Sequence, residues 1–106
     1  MRRIKWRGYD VSFHDLKSET YNDGSVYRKW DIVLYLPFGA VKVGEVAHSN
    51  YKYRTWYAQS LGWYILGRSA YAWEKNSTAK GVILKMLDQA YPDMEPADQR
   101  RREAAA

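Results

Sequence analysis

The 106-residue sequence contains no cysteine, which excludes disulfide stapling and thiolate metal sites at once. Phenylalanine is nearly absent as well, with two residues against ten Tyr and five Trp. Tyr and Trp join an apolar ring to a polar end, so they favour half-buried sheet faces and interfaces. Long hydrophobic runs are missing. The longest, from Ile32 to Val41, is broken by Pro37 and is too short to cross a bilayer. No apolar h-region of a secretory signal follows Met-Arg-Arg-Ile-Lys-Trp-Arg, so a cytoplasmic protein with no membrane partner is the expectation. There is no Gly-rich phosphate loop, no Gly-Lys-Ser/Thr, no His-Glu-x-x-His, and no internal repeat or low-complexity segment.

What is present is the composition of one folded domain. Hydrophobic residues make up 46% of the chain and aromatics 16%, enough apolar surface to offset the entropy of ordering. The net charge is +5, unevenly placed. Residues 1–7 carry Arg2, Arg3, Lys5 and Arg7 and no acid; residues 8–91 carry ten basic and eight acidic side chains. The basic character belongs to the N-terminal segment, not to the body of the domain. The chain therefore divides into a basic N-terminal arm (1–7), a single domain (8–91) and a polar tail (92–106) with the cluster Arg100–Arg102.

Hydrophobic periodicity assigns the elements. Tyr9, Val11 and Phe13 alternate with Asp10, Ser12 and His14, the period of a half-buried strand. Asn22-Asp23-Gly24 marks a turn within the polar stretch Ser18–Ser25. In a strand over 28–36, Trp30, Ile32, Leu34 and Leu36 share one face. Pro37-Phe38-Gly39 turns the chain into a strand over 40–47, where Gly44 implies a bulge or a close approach. Further strands are expected over 51–59 and 63–66, while 68–75 shows no clean period. Ala79, Val82, Ile83, Met86, Leu87 and Ala90 have helical spacing, with Asn76 or Ser77 as N-cap, Pro92 as the stop and Gly81 as a point of close packing on the sheet. The expected fold is α+β: an antiparallel sheet of three to five strands with one C-terminal helix packed on one face.

No catalytic constellation stands out. His14 and His48 fall on different strands, and a metal site would need three or four converging groups, so no metal or other cofactor is expected. His48 and Ser49 are neighbours on a strand and point to opposite faces, which argues against a shared proton. Asn76-Ser77-Thr78 has the form of a glycosylation acceptor, but capping the helix explains it better. The binding candidates are Tyr51, Lys52, Tyr53 and Arg54 in the third central strand, together with Arg2, Arg3, Lys5 and Arg7. Lys52, Arg54, Trp56 and Ala58 share one face, and Tyr51, Tyr53, Thr55 and Tyr57 the other. Outward tyrosines would form a stripe able to stack on bases or to dock a protein; outward cations would meet phosphates.

The run Trp30-Asp-Ile-Val-Leu-Tyr-Leu-Pro, then Gly44-Glu-Val, Arg54-Thr-Trp-Tyr-Ala and a helix of small and aliphatic residues, resembles small sheet-plus-helix proteins of actinobacteria and their phages over residues 30–90. The order of elements is more remotely similar to the three-stranded DNA-binding domains of phage integrases and AP2-type regulators, which lay a sheet in the major groove. With no catalytic constellation in the sequence, the expectation is a small non-enzymatic accessory protein, for which the resemblance points to a phage origin. Its leading reading is a DNA-binding module with Arg2, Arg3, Lys5, Arg7, Lys52 and Arg54 on phosphates and Tyr51 and Tyr53 stacking. The rival reading is a protein-interaction module that docks a host or phage protein, or a second copy in a homodimer, through exposed Tyr and Trp.

Overall fold

The structure, a computed structural model, describes residues 2–49, 55–60, 70–75 and 78–97. Among these residues six strands form one antiparallel sheet in chain order, followed by a helix. The strands are β1 (Arg2–Trp6), β2 (Tyr9–Thr20), β3 (Val26–Leu36), β4 (Gly39–Ser49), β5 (Thr55–Ser60) and β6 (Tyr71–Lys75), and the helix is α1 (Ala79–Ala90). The class is α+β as expected, but the sheet is wider than three to five strands. The expected strand over 63–66 lies outside the described residues.

The two extra strands have separate causes. In β1, Ile4 and Trp6 alternate with Arg3 and Lys5, so a period-two pattern lies beneath the charge that reads as an arm. The register Ile4↔Val11 and Trp6↔Tyr9 places those apolar residues in line with the core face of β2. In β6 the usual sizes are inverted. Ala72 is buried opposite Ala58, while Tyr71 and Trp73 point away from the core, so hydrophobic contrast along the strand is low. The hairpin β2–β3 is also longer than its polar sequence implies, because Ser18, Glu19 and Thr20 pair with Arg28, Tyr27 and Val26.

One face of the sheet buries Val11, Phe13, Ile32, Leu34, Val46 and Ala58 in a single core cluster with the apolar face of α1. The six helix residues with apolar spacing are all buried. Helix α1 contacts β4, β5 and β6 and also β1, at the other end of the strand order, so the sheet curls around it. Two irregularities favour this curvature, since a bulge adds local twist. The register shifts between Asp15 and Lys17 on β2, and again where Ile32 and Val33 of β3 face Gly44 and Lys42.

The helix starts one residue later than the expected caps. Thr78, with extended backbone, caps it by accepting from the Gly81 amide at 3.0 Å. Gly81 faces solvent, so it is not where helix meets sheet. Gly44 fills that role: a Cβ there would collide with the Gln59 carbonyl oxygen and press on Met86 Cε. At the other end Tyr91 leaves helical geometry and donates its amide to Leu87 O, and Pro92 follows.

Candidate functional site

The helix-free face of the sheet carries the polar and aromatic side chains that alternate with the core. Tyr27, Tyr57 and Tyr71 lie in a row across β3, β5 and β6, with ring centroids 6.1 Å apart at each step. Trp73 stands opposite Tyr57 in the register, on the same face. Tyr71 is 55% exposed and Trp73 52%. Burial holds the Tyr57 phenol well above its ordinary range, with a hydrogen bond to Tyr27 and the nearby phenols of Tyr27, Tyr71 and Tyr21 adding to the effect. Tyr71 is raised as well, first by burial and then by Tyr27. The Tyr57 and Tyr71 hydroxyls therefore stay neutral donors and acceptors at ordinary pH.

Beside the rings lies a ladder of ion pairs. Asp31 and Glu45 face each other directly in the register, an unfavourable like-charge pair. Each is answered by a lysine on the diagonal: Lys42 at 2.9 Å from Asp31 and Lys29 at 3.2 Å from Glu45. Further along, Lys5 pairs with Asp10 at 2.6 Å. The charges on this face are thus largely matched within the sheet.

A third group on the same face joins His14 and Tyr35 through Ser12. Ser12 Oγ lies 3.0 Å from His14 Nε2 and 2.9 Å from the Tyr35 hydroxyl. The Arg3 guanidinium sits 5.1 Å over the Tyr35 ring. A Ser–His contact is the start of nucleophilic catalysis, but Ser12 has no exposed surface through which a substrate could reach it. The group acts as a half-buried hydrogen-bond chain holding β2 to β3.

The expected binding residues do not share one surface. Arg2 lies on the helix side of β1, 5.8 Å over the Phe13 ring, whereas Arg3 lies on the helix-free side. Arg2 and Arg3 both border a shallow pocket of about 370 Å³ with Ile4, Phe13, Thr78, Ala79 and Lys80. Lys5 is ion-paired, as noted. Arg7 is turned toward the end of α1, where it donates to the carbonyls of Tyr91, Pro92 and Met94 and pairs with Asp88. Tyr51, Lys52, Tyr53 and Arg54 lie outside the described residues. On the part of that strand that is described, Ala58 and the half-buried Trp56 belong to the helix side and Tyr57 to the helix-free side.

Sequence reasoning missed Tyr27, Tyr71 and Trp73. The only signal was the excess of Tyr and Trp over Phe, because joining these three rings requires the strand order and the register. The histidines stand apart, His14 on the helix-free face and His48 tilted against Trp56 with centroids 4.6 Å apart on the other. No helix among the described residues is long and apolar enough to cross a membrane. Comparison of the chain with protein families, curated proteins and solved structures finds no match.

Proposed function

We propose that this chain is a binding module that docks a protein partner on the helix-free face of its sheet, through Tyr27, Tyr57, Tyr71 and Trp73. One observation carries the reading. Tyr71 and Trp73 are more than half exposed, and they adjoin Tyr57 and Tyr27 where neighbouring charges already have partners. Contiguous exposed aromatic surface is uncommon on a monomer. Tyr and Trp supply much of the energy where proteins meet, because they bury large area at little entropic cost. The reading requires no catalytic residue.

A photo-reactive benzoylphenylalanine at position 73, in the organism that encodes the chain, tests it. Irradiation should give a discrete protein adduct that Tyr71→Ser abolishes, while the same probe at Gln89 on the exposed side of α1 gives none. Equal labelling from both positions would sink the proposal. An adduct with a second copy would assign the face to self-association.

A second reading, nucleic-acid binding, draws on the pocket at the start of β1. Arg2, Arg3 and Lys80 border it, and no carboxylate does. Cations there would neutralise phosphates and give an affinity that falls with log salt. Binding of labelled duplex across a salt series, with Arg2→Ala and Lys80→Ala in parallel, checks it. An unchanged slope in the double variant would remove the pocket from the reading.

A further inference from the structure

The segment after the helix, Pro92–Ala97, is held in an unusual way. Its polar anchors gather on the turn between β1 and β2. Arg7 donates from its guanidinium to Pro92 O at 3.1 Å and Met94 O at 2.7 Å, and also to Tyr91 O at 3.2 Å. The Arg7 carbonyl accepts from the Ala97 amide at 2.9 Å. The Tyr9 hydroxyl donates to Glu95 O at 2.7 Å. A Cβ at Gly8 would press on that of Ala97, so the segment lies directly on this turn. Its apolar hold is thin: Ala97 is buried and Met94 partly so, while Pro92, Asp93 and Pro96 are exposed. Arg7 also holds a positive φ of 48°, a backbone state that costs a non-glycine residue energy.

Regions with few buried apolar contacts and polar anchors near solvent open at lower free energy than the core. We infer that Pro92–Ala97 is a latch that swings about Tyr91 while sheet and helix stay folded, with Arg7 as its catch. Tyr91 suits a hinge, because its backbone has already left the helix and its own ring remains buried. When the latch is shut, Arg7 Nη1 serves the carbonyls of Pro92 and Met94 while Nη2 pairs with Asp88, and the Tyr9 hydroxyl is taken by Glu95 O. When it opens, the bonds from Arg7 to Pro92 and Met94 and from Tyr9 to Glu95 are given up together, while Arg7 stays tied to Asp88 and Tyr91.

Native-state hydrogen exchange on the full chain tests this. The amides of Met94 and Ala97 should exchange by an opening that hardly depends on denaturant, while those of Ile83 and Met86 follow global unfolding. Arg7→Lys keeps the charge but loses the planar fork. It should speed exchange at Ala97 by about tenfold or more, still with little dependence on denaturant. If Ala97 in the unaltered protein shows the same denaturant dependence as Ile83, the segment belongs to the core and the latch is refuted, whatever the variant does.

Discussion

Trp6 and Asp88, 82 positions apart, are joined by a 2.8 Å hydrogen bond from the indole Nε1 to the carboxylate Oδ1. The bond ties the first strand to the last turn of the helix, and the same oxygen takes the Arg7 guanidinium at 3.3 Å. Trp6 is almost wholly buried, so an indole N–H without this partner would lose its solvation. Asp88→Ala should cost about 1–2 kcal/mol in urea unfolding, and Asp88→Asn, which keeps an acceptor, less than half of that. Equal midpoints for Asp88→Ala and the unaltered chain would show that the bond adds nothing.

Gly44→Ala should destabilise by about 2–3 kcal/mol or more, because the added methyl meets the backbone of Gln59 as well as the movable end of Met86. Pairing Gly44→Ala with Met86→Ala should recover little, since the backbone contact remains. Thermal unfolding of the single and double variants separates the two contributions. A double variant no less stable than Met86→Ala alone would mean that Met86 alone sets the limit.

Lys42→Met leaves Asp31 facing Glu45 with one lysine for two carboxylates. A loss of about 1 kcal/mol is expected at pH 7 and low salt, shrinking as added salt screens the charges. Asp31→Asn combined with Lys42→Met should lose less than the sum of the single changes. Additive losses in a double-mutant cycle would argue that the ladder is a set of independent pairs.

The tyrosine row makes stability depend on alkaline pH. The folded state holds the Tyr57 and Tyr71 protons more tightly than the unfolded chain, whose phenols titrate near 10.0. Their contribution is complete below that pH and is lost as the pH rises through the unfolded value toward the raised folded one. Urea midpoints should fall between about pH 10 and 11, and Tyr57→Phe should flatten the decline. The same slope in Tyr57→Phe would place the dependence on other groups.

The helix was legible residue by residue, because six apolar positions at helical spacing are a strong pattern and all six are buried. The central strands were legible too, and so was the special position of Gly44. The edges of the sheet were not. In β1 three cations mask the alternation of Ile4 and Trp6, and in β6 the aromatic rings point outward over a small inward Ala72. The candidate face was hidden for a related reason. Its rings come from β3, β5 and β6, and nothing in a linear sequence aligns Tyr27 with Tyr57 and Tyr71 before the strands pair. Arg7 was legible as a cation but not as a cap, since its carbonyl partners lie more than eighty residues away.

Strand order that repeats chain order also governs how the molecule assembles. Each neighbouring pair of strands closes over a short stretch of chain, so every step of the meander costs little loop entropy. The hairpins can zip one after another as the chain lengthens during synthesis, from β1 and β2 onward. The bond between Trp6 and Asp88 stands outside that sequence, since it must wait for nearly the whole chain. Until α1 arrives, the apolar face of the growing sheet has nothing to cover it. The helix that finishes the fold is therefore also what shields that face from other chains.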